Sequence, residues 1–167
     1  MSIEASIVEV WTPDNPISPS QIALAHLAVR QNQERVGTNL FSDITDTQAD
    51  LADLEQNYIA GGGNFFVART EDYRLKGFVG LRNQGDGHAA LKRLAVLPEF
   101  EGRGTGRALV TNLITWARQN GFIKISLQTG GSEEAKARIY EKVGFVVTDT
   151  IPKEYKADEW LMELRLG

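Results

Sequence analysis

The part of the chain that most constrains its fold is a strand, a glycine-rich loop, a helix and a second strand in direct succession. The first strand is predicted from Ala89 to Leu97, where Pro98 ends it. From about Gly104 to Gln119 apolar residues recur at helical spacing. The apolar segment "FIKISLQT" predicts the second strand. Because a helical crossover joins parallel neighbours, this segment predicts a βαβ unit.

Strand and helix signals continue on the N-terminal side of this unit. A strand is expected over about residues 2–12, and a helix from Ser18 or Ser20 to about Glu34. A second helix is expected from near Thr47 until a run of three glycines ends it. The segments "NFFVART" and "LKGFVGLR" predict an antiparallel pair joined by a polar turn.

A helix and two strands are predicted after the βαβ unit. The helix is expected from about Ser132 to Lys142, and the strands are "FVVTDTI" and "EWLMELRL". In the last strand one face is apolar and consists of Trp160, Met162, Leu164 and Leu166. The whole pattern predicts an α/β (α+β) fold with a mixed sheet, and residues 1–167 are expected to form a single domain.

Composition limits the functions open to the chain. It contains no cysteine, which excludes disulfides, thiolate metal sites and a cysteine nucleophile, and no metal is expected. Its 18 basic and 22 acidic residues give a net charge of -4, so nucleic acid and anionic membranes are not expected as partners. Because no long apolar run occurs, a soluble cytoplasmic protein is expected.

The glycine loop "EGRGTGR" is suited to binding phosphate. It follows a strand and opens a helix, so unpaired backbone amides and the positive end of the helix dipole point the same way. Arg103 and Arg107 can add charged hydrogen bonds. The alternative is a tight turn without a ligand. The Walker phosphate-loop interpretation fails because no lysine followed by serine or threonine closes the loop. A dinucleotide-binding fingerprint is disfavoured because no obvious acidic ribose reader follows about 20 residues later.

The residues "LKRLAVLPEFEGRGTGRALVTNLITWARQNGF" and "ISLQTGGSEEAKARIYEKVGF" closely resemble the GNAT superfamily of acyl-CoA-dependent N-acyltransferases, over about Ala89 to Phe145. The resemblance implies a single-domain GNAT-like fold: a mixed sheet of about seven strands, splayed at the cofactor site and flanked by about four helices. It also implies acetyl-CoA as acyl donor. The backbone amides that would bind its pyrophosphate belong to Gly102, Arg103, Gly104, Thr105, Gly106 and Arg107.

The same resemblance implies contacts for the rest of the donor. The end of the first strand, Leu94, Ala95 and Val96, would pair with the pantetheine arm, and an amide there would polarise the thioester carbonyl. Thr129 would contact the arm, or serve only as a strand-end residue. One departure is Glu101, which stands where the family usually has glutamine or arginine.

Tyr140 in "ARIYEKVGF" matches the position at which many family members have the general acid beside the coenzyme A sulfur. A phenol suits this role because it keeps its proton at neutral pH. The alternative is an aromatic residue packed in the core. Relatives often have a glutamate as base in the strand that here contains Ala89 and Ala90. The remaining alternative is a base that acts through water. His88 lies near this strand, but its neighbouring turn residues are more typical of a solvent-facing histidine than of a base.

The segment between the first strand and the hairpin is acidic, which bears on the acceptor. From Arg30 to Ile59 it has six acidic residues, Glu34, Asp43, Asp46, Asp50, Asp53 and Glu55, and two basic ones, Arg30 and Arg35. One hypothesis is an acidic rim that attracts a cationic amine, and the alternative is a solvated helix face. Leu40, Phe41 and Tyr58 are candidates for lining the acceptor pocket or for filling the core.

The sequence thus predicts an N-acetyltransferase that passes an acetyl group from acetyl-CoA to a primary amine in a ternary complex. The acceptor is expected to be a small-molecule amine or a protein amino group, and family analogy suggests a homodimer. The alternative is a coenzyme A-binding sensor or regulatory module without activity. A third hypothesis, nucleotide binding at the loop, predicts higher affinity for ATP or NAD than for coenzyme A.

Overall fold

The sheet has seven strands in the order β1-β2-β3-β4-β5-β7-β6. The computed structural model describes residues 6–35, 49–130, 134–152, 154 and 159–167. Among the described strands only β4 and β5 are parallel, and the other neighbours are antiparallel. The strands are β1 (Ile7–Val10), β2 (Asn64–Arg69), β3 (Leu75–Gly85), β4 (His88–Val96), β5 (Lys124–Gly130), β6 (Val146–Ile151) and β7 (Glu159–Arg165). The predicted mixed sheet with a βαβ unit is confirmed.

Helices cover both faces of this sheet. They are α1 (Pro19–Arg35), α2 (Ala49–Ala52), α3 (Thr105–Gln119) and α4 (Glu134–Lys142), with a π-helical turn at Glu55–Ile59 and a 3₁₀ turn at Pro98–Phe100. Ser18, not Ser20, caps α1: its hydroxyl accepts the N–H of Gln21 at 3.2 Å, and the Gln21 side chain accepts the Ser18 N–H at 2.8 Å. This reciprocal cap explains why the helix begins at Pro19.

The predicted second helix is interrupted. Its expected start near Thr47 lies outside the described residues, and α2 ends at Ala52 before the π-helical turn. The Asp53 carboxylate accepts the N–H of Gln56 at 3.0 Å, and the Asn57 amide donates to the Asp53 carbonyl at 2.9 Å. Such local side-chain bonds compete with regular helix hydrogen bonds, so one helix was the wrong prediction here.

Two apolar clusters pack against opposite faces of the sheet. The cluster under α3 contains Leu109, Leu113 and Met162, with Trp160 and Leu166 packed against it, so the predicted apolar face of β7 is confirmed. The cluster under α1 and α2 contains residues of both helices together with side chains of β2, β3 and β4. Because side chains alternate along a strand, β4 contributes to both clusters.

A β-bulge in β4 opens the sheet. Phe78 pairs with Ala95 and Gly80 with Lys92, so Val79 lies opposite two residues, Arg93 and Leu94. Arg93 has φ of 61°, which is uncommon outside glycine. On its other side β4 pairs with β5 only from His88 to Ala90. The two parallel strands therefore separate on the side of the glycine loop, as the resemblance implied.

Candidate active site at the separation of β4 and β5

The glycine loop has an uncapped helix start. Gly102 and Gly104 have φ of 74° and 82°, which an L-residue adopts only with strain. Gly104 is the N-cap of α3, no capping side-chain hydrogen bond occurs there within the described residues, and no acidic residue lies in the first turn. Free amides and the helix dipole together make this loop suitable for an anionic group.

Gly106 has a different role from the other two glycines. It lies within α3, where a Cβ would be 2.9 Å from the Cδ1 of Ile139 and 3.5 Å from the Cγ2 of Val96. The missing side chain therefore lets α3 approach α4 and the end of β4. Sequence reasoning assigned all three glycines to the phosphate cradle, because spacing alone does not separate a close contact from an open loop.

Four side chains at this loop differ in exposure. Arg103 and Arg107 are exposed at its rim, in reach of solvent and of an anion. Thr105 is buried, and its Oγ1 lies 3.2 Å from the Oγ of Ser6. Glu101, the departure from the family pattern, is exposed at the end of the 3₁₀ turn. The cradle thus consists of backbone with two cationic side chains beside it.

A buried lysine lies behind the loop, and sequence reasoning did not find it. Lys76 is 3% exposed, and its ammonium donates to the Oγ of Ser6 at 2.9 Å. The β2–β3 register shifts here, since Ala68 pairs with Gly77 and Arg69 with Leu75, which leaves Lys76 in a bulge. The lysine therefore adds positive charge behind the first turn of α3. The bulge is not visible as a sequence pattern.

The end of β4 presents the predicted donor-binding residues. Leu94 packs under α3, and Ala95 belongs to the cluster under α1 and α2, so their side chains point to opposite faces. Val96 is partly buried and is the last residue of β4. In the described part of the chain β5 pairs with β4 no further than Ala90. The edge of β4 beyond that point can therefore pair with an extended ligand.

Tyr140 and Thr129 lie on the far side of this opening. Tyr140 is 3% exposed on α4, and its ring centroid is 5.7 Å from that of Phe145. It is a packed aromatic residue, and its chain neighbour Ile139 contacts the glycine loop at Gly106. Thr129 is buried on β5 opposite Trp160, beyond the part of β5 that pairs with β4.

On the acceptor side the bulge is bonded to α2. The guanidinium of Arg93 holds the Asp50 carboxylate at two points, Nη2 to Oδ1 at 2.8 Å and Nε to Oδ2 at 3.1 Å. The Tyr58 hydroxyl donates to the same carboxylate at 2.5 Å. Burial raises the pKa of Asp50, but the hydrogen bonds from Arg93 and Tyr58 and the charge of Arg93 outweigh it and hold that pKa below its usual range.

This network changes the interpretation of the acidic segment. Asp50 is neutralised by Arg93, and Asp53 accepts a backbone N–H. Burial and the Asp50 carboxylate raise the pKa of Tyr58, so its hydroxyl stays protonated. Tyr58 is buried in the cluster under α1 and α2, which agrees with the core-filling alternative. Four other residues singled out in this segment, Leu40, Phe41, Asp43 and Asp46, lie outside the described residues.

Two histidines differ in their distance from the opening. His88 begins β4 and pairs with Lys124 of β5, about 23 Å from Ala95 at about 3.3 Å per residue. His26 on α1 is 9% exposed, and its ring centroid is 6.2 Å from that of Phe78, which pairs with Ala95. Sequence reasoning missed His26, although it lies one helical turn after the buried Ile22.

The described residues offer neither a cluster of metal ligands nor a membrane-spanning helix. They contain no group of three or more histidine, cysteine, aspartate or glutamate side chains placed to hold a metal ion. No helix within the described ranges is long and apolar enough to cross a membrane.

Sequence comparison finds relatives among acetyltransferases. The family model described as acetyltransferase (GNAT) family matches residues 32–145. N-acetyltransferase family 8 member 2 of Rattus norvegicus is 31% identical over 106 residues, which are 60% of this chain and 46% of that protein. N-acetylaspartate synthetase of Xenopus tropicalis is 29% identical over 99 residues, 59% of this chain and 36% of that protein. The chain thus spans about half the length, or less, of these relatives.

Solved structures share the fold at low sequence identity. A GNAT-family acetyltransferase from Staphylococcus aureus superposes with a TM-score of 0.80 at 20% identity, covering 98% of this chain and all of that one. A phosphinothricin acetyltransferase from Sinorhizobium meliloti, in complex with acetyl-CoA, gives a TM-score of 0.75 at 16% identity, covering 97% of this chain and 89% of that one. These similarities concern the fold alone.

Proposed function

The chain belongs to the acetyltransferase (GNAT) family, and on that premise we propose that it transfers an acetyl group from acetyl-CoA to a primary amine, by direct attack in a ternary complex. The observation that carries the proposal is the separation of β4 and β5 beyond Ala90, with the uncapped start of α3 at its mouth. An extended thioester arm can pair with the free edge of β4 while its pyrophosphate meets the loop amides.

The reaction places different demands on this chain's groups. The amine nitrogen forms a bond to the acetyl carbonyl carbon, and the carbon–sulfur bond breaks. A backbone amide at Ala95 or Val96 stabilises the negative charge that develops on the carbonyl oxygen. In this proposal the Tyr140 hydroxyl gives its proton to the departing thiolate, and the proton lost by the amine passes to water, from which the phenol is restored. No covalent enzyme intermediate is needed.

Support for a donor with a pyrophosphate comes from charge at the loop. The first turn of α3 has no acidic residue, Arg103 and Arg107 lie at the rim, and the Lys76 ammonium is buried behind Thr105. The carboxylate of Glu101 is exposed, so it can point away from a bound phosphate. We propose that residues 1–167 act as one N-acyltransferase domain, with a small-molecule amine or a protein amino group as acceptor.

The test is release of free thiol from acetyl-CoA in the presence of a panel of primary amines. We expect amine-dependent release, with the acetylated product identified by mass spectrometry and no release without an amine. Binding of acetyl-CoA, ATP and NAD by calorimetry is the accompanying measurement, and we expect acetyl-CoA to bind most tightly. Higher affinity for ATP or NAD would contradict the proposal.

A second candidate function is a coenzyme A-binding module without activity. The observation that favours it is the presence of Ala89 and Ala90 in β4, where relatives often have a glutamate base. This candidate predicts tight acetyl-CoA binding and no thiol release with any amine. The acceptor panel therefore separates it from the acetyltransferase.

A further inference from the structure

Three cationic side chains gather on one face of β3 and β4. Gly80 pairs with Lys92, and Arg82 pairs with Ala90. Cross-strand partners share a face, and so do residues two apart on one strand, so Arg82 and Lys92 lie on the same face. A Cβ on Gly80 would be 2.5 Å from the Tyr58 ring, which identifies that face as the one under α1 and α2.

Arg93 joins this group from the bulge. Its guanidinium bonds Asp50 of α2, on the same side of the sheet. The Arg82 guanidinium lies over the ring of Tyr58, 5.2 Å from its centroid, and the Tyr58 hydroxyl bonds the same Asp50. We call Arg82, Lys92 and Arg93 the cationic cluster.

Among the residues that the structure describes, the cationic cluster carries more charge than neighbouring carboxylates neutralise. Asp50 forms an ion pair with Arg93. Within the described ranges neither Arg82 nor Lys92 has a carboxylate within salt-bridge distance. The Lys92 side chain is exposed to solvent, and partial desolvation, followed by the charges of Arg82 and Arg93, lowers its pKa. Bringing such cations together costs free energy unless an anion joins them, which favours an anionic ligand at this position.

The position of the cationic cluster relates it to the reaction. Lys92 immediately precedes the bulge that brings Ala95 opposite Phe78, and β4 has already separated from β5 there. Lys92 is therefore near the point where the opening begins, on the face away from α3. An amine that reaches the thioester through the α1 and α2 side of the sheet has to pass these charges.

Resting on the proposed acetyl transfer, we propose that the acceptor amine also carries a carboxylate, which Lys92 and Arg82 bind. The acceptor class is then an amino acid or another amine with a nearby carboxylate. The acidic composition of residues 30–59 suggested a cationic acceptor instead. Asp50, the carboxylate bonded to the cationic cluster, is neutralised by Arg93, so a second positive charge on the acceptor would be repelled by the cationic cluster.

The experiment compares matched acceptors, leucine with leucinamide and phenylalanine with phenylalaninamide, by thiol release from acetyl-CoA. A charge-assisted hydrogen bond to the carboxylate should make the kcat/KM of wild type for each amino acid about tenfold or more higher than for its amide. Lys92→Gln should reduce this ratio by about tenfold. The control is Arg118→Gln, an exposed cation in the last turn of α3, which should leave the ratio unchanged.

A binding measurement complements turnover. Isocaproate is the leucine skeleton without its amine, and calorimetry with coenzyme A present should show that it binds wild type more tightly than Lys92→Gln. Acetyl-CoA affinity of both proteins shows that each is folded. Thiol release without preference for the carboxylates, or a preference that Lys92→Gln and Arg82→Gln both retain, would overturn this inference and leave acetyl transfer standing. Thiol release that does not depend on any of the amines would overturn both this inference and the proposed acetyl transfer.

Discussion

Arg93 and Asp50 form a two-point ion pair that connects the bulge of β4 to α2, with nitrogen–oxygen distances of 2.8 and 3.1 Å. Their side chains are only 19% and 15% exposed. Arg93 also has φ of 61°, a conformation that costs free energy in any residue with a Cβ. The ion pair therefore offsets the strain of the bulge that separates β4 from β5.

Loss of this ion pair should destabilise the protein. Arg93→Met leaves the Asp50 carboxylate largely buried without its cation, and we expect the free energy of unfolding in urea to fall by about 1–3 kcal/mol. Asp50→Asn in the same chain should recover part of the loss. The control is Arg74→Met, which breaks the exposed pair with Glu99 and should change stability by less than about 1 kcal/mol. If the two substitutions changed the free energy of unfolding by strictly additive amounts, the coupling between Arg93 and Asp50 would be contradicted.

The same pair predicts a pH dependence of stability. The pKa of Asp50 is lower in the folded chain than in the unfolded chain, so its contribution is complete above the unfolded value of about 3.9 and is lost as the pH falls through the folded value. We expect wild type to be more stable than Asp50→Asn at neutral pH and the difference to shrink below about pH 4. Urea unfolding at several pH values measures it. A difference that stays constant down to acidic pH would assign the stabilisation to another group.

The two roles of the loop glycines predict different rescue behaviour. Gly106→Ala places a Cβ 2.9 Å from the Cδ1 of Ile139, and Ile139→Val removes that atom, so the double variant should regain stability and acetyl-CoA affinity. Gly104→Ala meets no atom within 4 Å and instead costs about 1–2 kcal/mol through its positive φ. Ile139→Val should therefore not rescue it. Equal rescue of both alanine variants would refute the distinction.

Tyr140→Phe tests the proposed acid. The ring and its packing against Phe145 are kept, so folding and the dissociation constant of acetyl-CoA should stay near wild type. We expect kcat to fall by about a hundredfold or more, because the thiolate loses its proton donor. Tyr73→Phe, at an exposed ring under Arg69, is the matched control and should keep full activity. An unchanged rate in Tyr140→Phe would leave Tyr140 as a core residue only.

Much of the fold could be predicted from local patterns. The strand before Pro98 and the helix that follows Gly104 are confirmed within one residue, and the hairpin of β2 and β3 is confirmed with β3 three residues longer than expected. These elements depend on periodicity, capping and turn residues, all of which act over a few positions along the chain. The glycine spacing and the segment around Tyr140 also indicated the family. The broken second helix was missed because Asp53 and Asn57 bond the local backbone.

Other features depend on contacts between residues distant in sequence. Arg93 and Asp50 are 43 positions apart, and Lys76 and Ser6 are 70 apart. Each contact requires a bulge that shifts the register of one strand, and the sequence pattern does not mark where such a shift falls. The sequence by itself thus determined the order of the elements and the glycine loop. Only the tertiary structure decided which charges meet at the opening, because strand register determines which side chains share a face.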